Sequence, residues 1–402
     1  MKILSLLSQP IQSFNFARIP QLVFGAGSFN NIPSLLGQYG KSVLIVTGKS
    51  SHKVAGRWDQ LTRKLREASI DFLHVQVSGE PSPELVDESV ATFREKNINV
   101  VLAWGGGSVV DAGKAISAML REGGSVVDYL EGVGTGAKHS GVKVPMIAMP
   151  TTAGTGSEAT KNAVLSSVGE NGFKKSLRHD NFVPDIAVVD PQLMVSCPAH
   201  VTAACGLDAF TQLLEAYVAT KASPLTDALA LSGLAYVKDC LVPAATDRAD
   251  DEHVRAGMAY AALMSGIVLA NAGLGVVHGL ASPVGGFFDI PHGVVCGTLV
   301  GKATRVTIEK LHKEEGNGSI ALQKYAAVGA LLADVPAAGV EEGCKLLLET
   351  IDHWLDVLQT PRLSKYGISE NDFEKIITGT GNKNNPLPLT DLEIREVLQA
   401  RL

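Results

Sequence analysis

The rhythm of apolar residues changes once along this chain, near position 195, and that change limits the fold more than any other feature. Before it, short runs rich in β-branched residues recur: KSVLIVT (41–47), DFLHVQV (71–77), NVVLAW (99–104), VPMIAM (144–149) and DIAVVD (185–190). Between the earlier ones, VAGRWDQLTRKLREA, PELVDESVATFREK and VVDAGKAISAMLRE carry apolar residues at helical spacing. Such alternation predicts a doubly wound, mostly parallel sheet with crossover helices, an α/β domain over 1–195. After Pro191 and Pro198 the β-branched runs thin out. Stretches such as TAACGLDAFTQLLEAYVA, PLTDALALSGLAYVKDCL and GVEEGCKLLLETIDHWLDVL predict an all-α domain over 196–402, closed by NKNNPLPLTDLEIREVLQARL as a loop and a capped helix.

Two domains suit a chain of 402 residues, which exceeds what one core usually supports. The net charge of −6 comes with no basic block or stripe, which argues against nucleic acid and anionic membranes as partners and leaves small molecules. The five cysteines show no CxxC spacing and read as reduced thiols of a cytoplasmic protein. The start, MKILSLLSQPIQSF, has no long apolar region or cleavage site of the signal-peptide kind. From Ala256 to Phe288 no residue carries a formal charge, a length that spans a bilayer. Its Gly and Ala content, with Asn271 and His278, reads instead as a helix buried in a bundle. FNFARIPQLVFGAG, before Lys41, reads either as a strand hairpin available for a homodimer or as an edge of the chain's own sheet.

The turn Gly105-Gly106-Gly107-Ser108 follows NVVLAW and opens a helix, so its N–H groups face an anion on the helix dipole, as a pyrophosphate requires. It lacks Walker spacing, which counts against phosphoryl transfer. A tight turn needing glycine for geometry is the plainer reading. PTTAGTGSEAT (150–160) matches G-x-G-x-x-A formally, but it sits in the wrong βα turn and no acidic residue follows at the required distance. Thr151, Thr152 and Thr155 there are hydroxyl donors to a cofactor. At the end of KSVLIVT, Gly48, Lys49 and Ser50 stand where NAD-selecting proteins place a carboxylate, so the turn favours NADP over NAD.

Asp208, in CGLDAFTQLLEAY, precedes two histidines in GVVHGLASPVGGFFDIPHG, His278 and His292. One carboxylate and two imidazoles, with positions left open, suit a catalytic Zn2+ or Fe2+ ion. Gln212, four residues after Asp208, projects from the same helix face. His278 is expected late in the uncharged helix and needs a reason for its polarity there.

GGGSVVDAGK, PTTAGTGSE, PDIAVVDPQL, CGLDAFTQLLEAY, VHGLASPVGG and IPHG, in that order, make the chain resemble the iron-containing (group III) alcohol dehydrogenases over essentially its whole length. The resemblance implies a dehydroquinate synthase-like architecture, a dinucleotide-binding domain followed by a helical one, with the site in the cleft between them. It implies a phosphate loop at Gly105–Ser108, nicotinamide-side threonines at Thr151 and Thr152, and a cofactor lysine after a hairpin at Lys174. It also implies a metal held by an aspartate, a histidine four residues on, and two later histidines 14 apart. Asp208, His278 and His292 match; Gln212 departs, since an amide oxygen is a weaker donor than imidazole. A second departure is Ser282, where family members often carry a histidine; its hydroxyl is the substitute for a proton relay. The expected reaction is NAD(P)-dependent oxidation of a small alcohol, with metal as Lewis acid. The rivals are a metal-independent reductase resembling the maleylacetate reductases, a lyase-type reaction as in dehydroquinate synthase relatives, and a non-catalytic NADP-binding protein.

Overall fold

The computed structural model describes residues 11–402, so most of the N-terminal MKILSLLSQPIQSF reading lies outside the described residues. The first part is a six-stranded sheet of β1 (Gln21–Phe24), β2 (Ser42–Thr47), β3 (Asp71–Gln76), β4 (Val100–Gly105), β5 (Met146–Pro150) and β8 (Ile186–Val189). Its order is β1-β8-β5-β4-β2-β3 and every pairing is parallel. All five strands expected from β-branched runs are present. Val43, Leu44, Ile45 and Val46 of β2 are completely buried, each worth about 1.5–3 kcal/mol of transfer free energy. Successive side chains serve opposite faces. Leu44 and Val46 join the core under α3 (Pro83–Phe93) and α4 (Gly107–Met119), while Val43 and Ile45 join the one under α1 (Ile32–Gly37) and α2 (Arg57–Glu67).

FNFARIPQLVFGAG is not a hairpin: it holds the single strand β1, which pairs with β8 as an edge of the chain's own sheet. The hairpin is instead β6 (Asn162–Ser167) with β7 (Phe173–Arg178), an antiparallel pair set apart from the main sheet. Residues such as Lys174, Lys175 and Arg178 mask its periodicity.

From Ala199 onward the chain is helical: α5 (Ala199–Val218), α6 (Pro224–Ala245), α7 (Glu252–Ala272), α8 (Val276–Phe287), α9 (His292–Glu314), α10 (Ile320–Ala333), α11 (Val340–Val357), α12 (Phe373–Gly379) and α13 (Asp391–Ala400). The expected single uncharged helix is two, α7 and α8. Gly273, at φ 78° and ψ −167°, a backbone conformation that favours glycine, ends α7, and Gly275 precedes α8. Consequently His278 lies in the first turn of α8, not late in a long helix. Both α6 and α7 are long and apolar enough to cross a bilayer, but 72% of the apolar stretch of α7 is buried in protein. It is the central core helix, packed on α5 and α6 through Met258, Ala261 and Ile267.

Candidate active site

The loops leaving β2, β4 and β5 emerge at one end of the sheet, and the order in which strands are added reverses at β2, with β3 on one side of it and β4 on the other. Such a switch point is where open α/β sheets bind ligands. Gly107 and Ser108 form the first turn of α4, which has no side-chain cap, so their N–H groups stay available to an anion. None of Gly105, Gly106 and Gly107 has a positive φ. Their reason is proximity: a Cβ on Gly105 would stand 2.6 Å from Val109, and one on Gly107 2.7 Å from Thr155. Gly106 has ordinary room, 3.4 Å from Thr152.

The second loop is bolted to α4. Lys114, wholly buried, donates to the Ser157 carbonyl (2.9 Å), to Thr160 Oγ1 (2.8 Å) and to the Asn162 carbonyl, and pairs with Asp111 at 3.2 Å. Thr151 N donates to the Gly105 carbonyl at 2.9 Å, and Thr155 Oγ1 accepts from Ser157 N at 3.2 Å. Gly156, at φ 59°, touches the backbone of Gly266 on α7, so this glycine serves the contact between the two parts. Gly48, Lys49 and Ser50 follow β2, with Lys49 and Ser50 exposed, and Gln76 Nε2 donates to the carbonyls of Gly48 (3.4 Å) and Lys49 (3.2 Å). They do not line the cavity that holds the histidines, which is reached from the α4 side.

That cavity, about 480 Å³, is bounded by Gly107, Ser108 and Thr155 on one side and by Gln212, His278 and His292 on the other. Lys174 is there too, within β7 rather than after the hairpin, with Nζ 3.1 Å from Glu80. Ser282 lines the same space, but its hydroxyl donates to the Lys174 carbonyl at 3.1 Å, leaving only lone pairs toward the cavity. Gln212 lies one turn after Asp208, as expected, yet its Oε1 accepts from Ser265 Oγ at 2.8 Å.

Asp208 from α5, His278 from α8, and His292 and Cys296 from α9 bring four donor atoms within 4.8 Å of one another. Asp208 Oδ1 is 3.2 Å from His278 Nε2 and 3.8 Å from His292 Nε2; Cys296 Sγ is 3.5 Å and 3.7 Å from the same nitrogens. Behind His278, Glu215 accepts from its Nδ1 at 2.7 Å and from Val277 N at 2.7 Å. This holds a proton on Nδ1 and turns Nε2 toward the cluster. Burial works against charge throughout. It lowers His292 to about 3 despite Asp208, and pushes the Cys296 thiol up to about 12. At Asp208 burial is outweighed by the imidazoles of His292 and His278, and the carboxyl falls to about 2. At His278 burial is overridden by Cys296, Asp208 and Glu215, which raise it well above its ordinary value. Two buried carboxylates thus face one imidazole, and His292 Nδ1 is buried without a partner among the described residues. The donor set fits a divalent cation, whose charge would balance those carboxylates.

Sequence reasoning missed Cys296, Glu215, Asp111 and Lys114. The signals were present: Cys296 is one helical turn after His292, Glu215 one heptad after Asp208, and Asp111 and Lys114 form an i,i+3 pair in an apolar helix.

A parallel sheet with a glycine turn at its switch point, backed by helices that gather imidazoles and a carboxylate, is the dehydroquinate synthase-like plan of the iron-type dehydrogenases. The chain belongs to the iron-containing alcohol dehydrogenase family: the profile "Iron-containing alcohol dehydrogenase" matches residues 20–191 and "Fe-containing alcohol dehydrogenase family, C-terminal" matches 202–402. It is accordingly an oxidoreductase acting on CH–OH groups. It is 37% identical to the NAD-dependent methanol dehydrogenase of Bacillus methanolicus over 70% of this chain and 72% of that one. It is 31% identical to alcohol dehydrogenase 4 of Schizosaccharomyces pombe over 98% and 88%. A solved 1,3-propanediol oxidoreductase superposes with TM-score 0.87 at 28% identity, covering 97% of this chain and 100% of the other.

Proposed function

We propose that this protein is a cytoplasmic, metal-assisted, NADP(H)-linked dehydrogenase that interconverts a small alcohol and its aldehyde. The observation that carries this reading is convergence: His278 and His292, clustered with the buried Asp208, line the same cavity as Gly107 and Ser108 with their free N–H groups. The names of relatives, methanol dehydrogenase and 1,3-propanediol dehydrogenase among them, support a short primary alcohol.

Asp208, His278 and His292 would hold the cation, which supplies Lewis acidity to the substrate oxygen. The nicotinamide supplies the hydride acceptor or donor. Gly105 to Ser108 would hold the pyrophosphate, and Thr151, Thr152 and Thr155, with Lys174, would contact the coenzyme toward its nicotinamide. Glu215 keeps the proton on His278 Nδ1. Ser282 offers a fixed oxygen to the substrate. The apolar helices α7 and α8 exclude water from one wall. Lys49 and Ser50, with no carboxylate beside them, favour NADP through contact with its 2′-phosphate.

Assaying NADPH oxidation over a panel of short aldehydes, with stripped and Zn2+- or Fe2+-loaded protein, tests the reading. Activity is expected only in loaded protein; equal rates would replace it with a metal-independent reductase whose imidazoles hold substrate. Lys49→Glu is expected to weaken NADPH about tenfold or more, the loss of one charge-assisted contact of ~1.5–3 kcal/mol, while leaving NADH binding nearly unchanged. An equal loss for both coenzymes would remove the preference.

A further inference from the structure

We infer that the Cys296 thiolate is a fourth protein ligand of the metal, taking the place vacated at Gln212, and that the site is therefore an Asp–His–His–Cys centre selective for zinc over ferrous iron. The inference rests on the reading that this cluster binds a divalent cation.

Geometry carries it. In a tetrahedral zinc site with bonds of about 2.3 Å to sulfur and about 2.0–2.2 Å to nitrogen and oxygen, sulfur and nitrogen stand roughly 3.5 Å apart and nitrogen and oxygen roughly 3.4 Å apart. Cys296 Sγ lies 3.5 Å from His278 Nε2 and 3.7 Å from His292 Nε2, and Asp208 Oδ1 lies 3.2 Å and 3.8 Å from the same atoms. Four of the six donor-atom pairs thus stand close to the spacing of a coordination shell, and all six lie within 4.8 Å. The placement is built into α9: His292 is its first residue and Cys296 is one turn on, so both project from one face.

Gln212 is the poorer donor on two counts. Its amide oxygen is neutral, and it already accepts from Ser265 Oγ at 2.8 Å. Cys296 is 0% exposed, with its sulfur among the cluster's own donor atoms. Binding forms one sulfur–metal bond and breaks the S–H bond, the proton leaving to solvent. The dication then has two anionic ligands, Asp208 and the Cys296 thiolate, inside a buried centre. A soft thiolate biases the set toward zinc, whereas oxygen and imidazole donors alone do not.

Zinc-loaded full-length protein should show, by X-ray absorption, one sulfur neighbour at about 2.3 Å. The cobalt-loaded form should show a thiolate-to-metal charge-transfer band in the near ultraviolet. Cys296→Ser should lose both and weaken zinc about 100-fold in a chelator competition, at least the loss seen for residues one shell further out. Gln212→Ala should keep the sulfur neighbour. Metal bound by oxygen and nitrogen alone in the wild type overturns the inference and leaves the metal reading standing; no metal bound at all overturns both. The wild-type spectra decide the matter even if Cys296→Ser fails to fold.

Discussion

Glu215 does not line the cavity, yet it holds a proton on Nδ1 of His278, which does. Replacing it with Gln keeps the shape and removes the charge. Metal affinity is then expected to fall about 10–100-fold in a chelator competition, the range for partners that orient a liganding imidazole. Glu158 shows the opposite relation between burial and charge. It is buried beside Lys114, and burial pushes its carboxyl up to about 7 in spite of that lysine. The unfolded chain loses this proton near the ordinary carboxylate value while the native state keeps it, so stability falls as pH rises from about 4.5 to about 7. Glu158→Gln should remove that slope and gain on the order of a few kcal/mol relative to wild type at pH 8, measured as denaturant midpoints at pH 5 and pH 8. Equal midpoint differences at both pH values would assign the proton elsewhere. At this scale Asp208, His278 and His292 were legible because their polarity stands out against apolar surroundings. Cys296 and Glu215 were not: a buried cysteine usually means only core, and Glu215 looks like any acidic residue until α8 is folded against it.

At the scale of elements, the strands of the main sheet were legible because buried parallel strands read as continuous apolar runs. The hairpin β6–β7 was not, since its residues alternate too weakly. Nor was the division of α7 from α8, because Gly273 and Gly275 sit in a stretch whose composition stays helical throughout. The division has tight tolerances. A Cβ on Gly275 would lie 2.7 Å from Asn385 Oδ1 and 2.8 Å from Glu215 Oε1. Gly275→Ala should therefore cost ~1–3 kcal/mol by overpacking and lower bound metal along with it, since it displaces the carboxylate behind His278. Gly37, at the end of α1 with nothing within 4 Å of its Cβ position, is the comparison: Gly37→Ala should leave stability unchanged or raise it by ~0.4–1 kcal/mol. Thermal unfolding with elemental analysis of both variants checks the pair.

For the whole molecule, the ligand atoms come from α5 and from the consecutive helices α8 and α9, with α6 and α7 lying between the first and the other two in sequence. A cation that ties them together binds the native state and not the unfolded chain. At a hundredfold excess over its dissociation constant it should add ~2.7 kcal/mol, seen as a melting temperature that rises with metal concentration. A melting temperature indifferent to added zinc would mean the cluster is satisfied without it. All those ligands belong to the helical part, whereas the glycine turn belongs to the sheet. The two candidate sites thus lie on opposite walls of one cavity. Lys174, on the coenzyme side, already bears electrostatically on His292, and reciprocity makes any coupling between the two sites equal in both directions. A titration of coenzyme with and without zinc would therefore weigh how strongly the two walls sense each other.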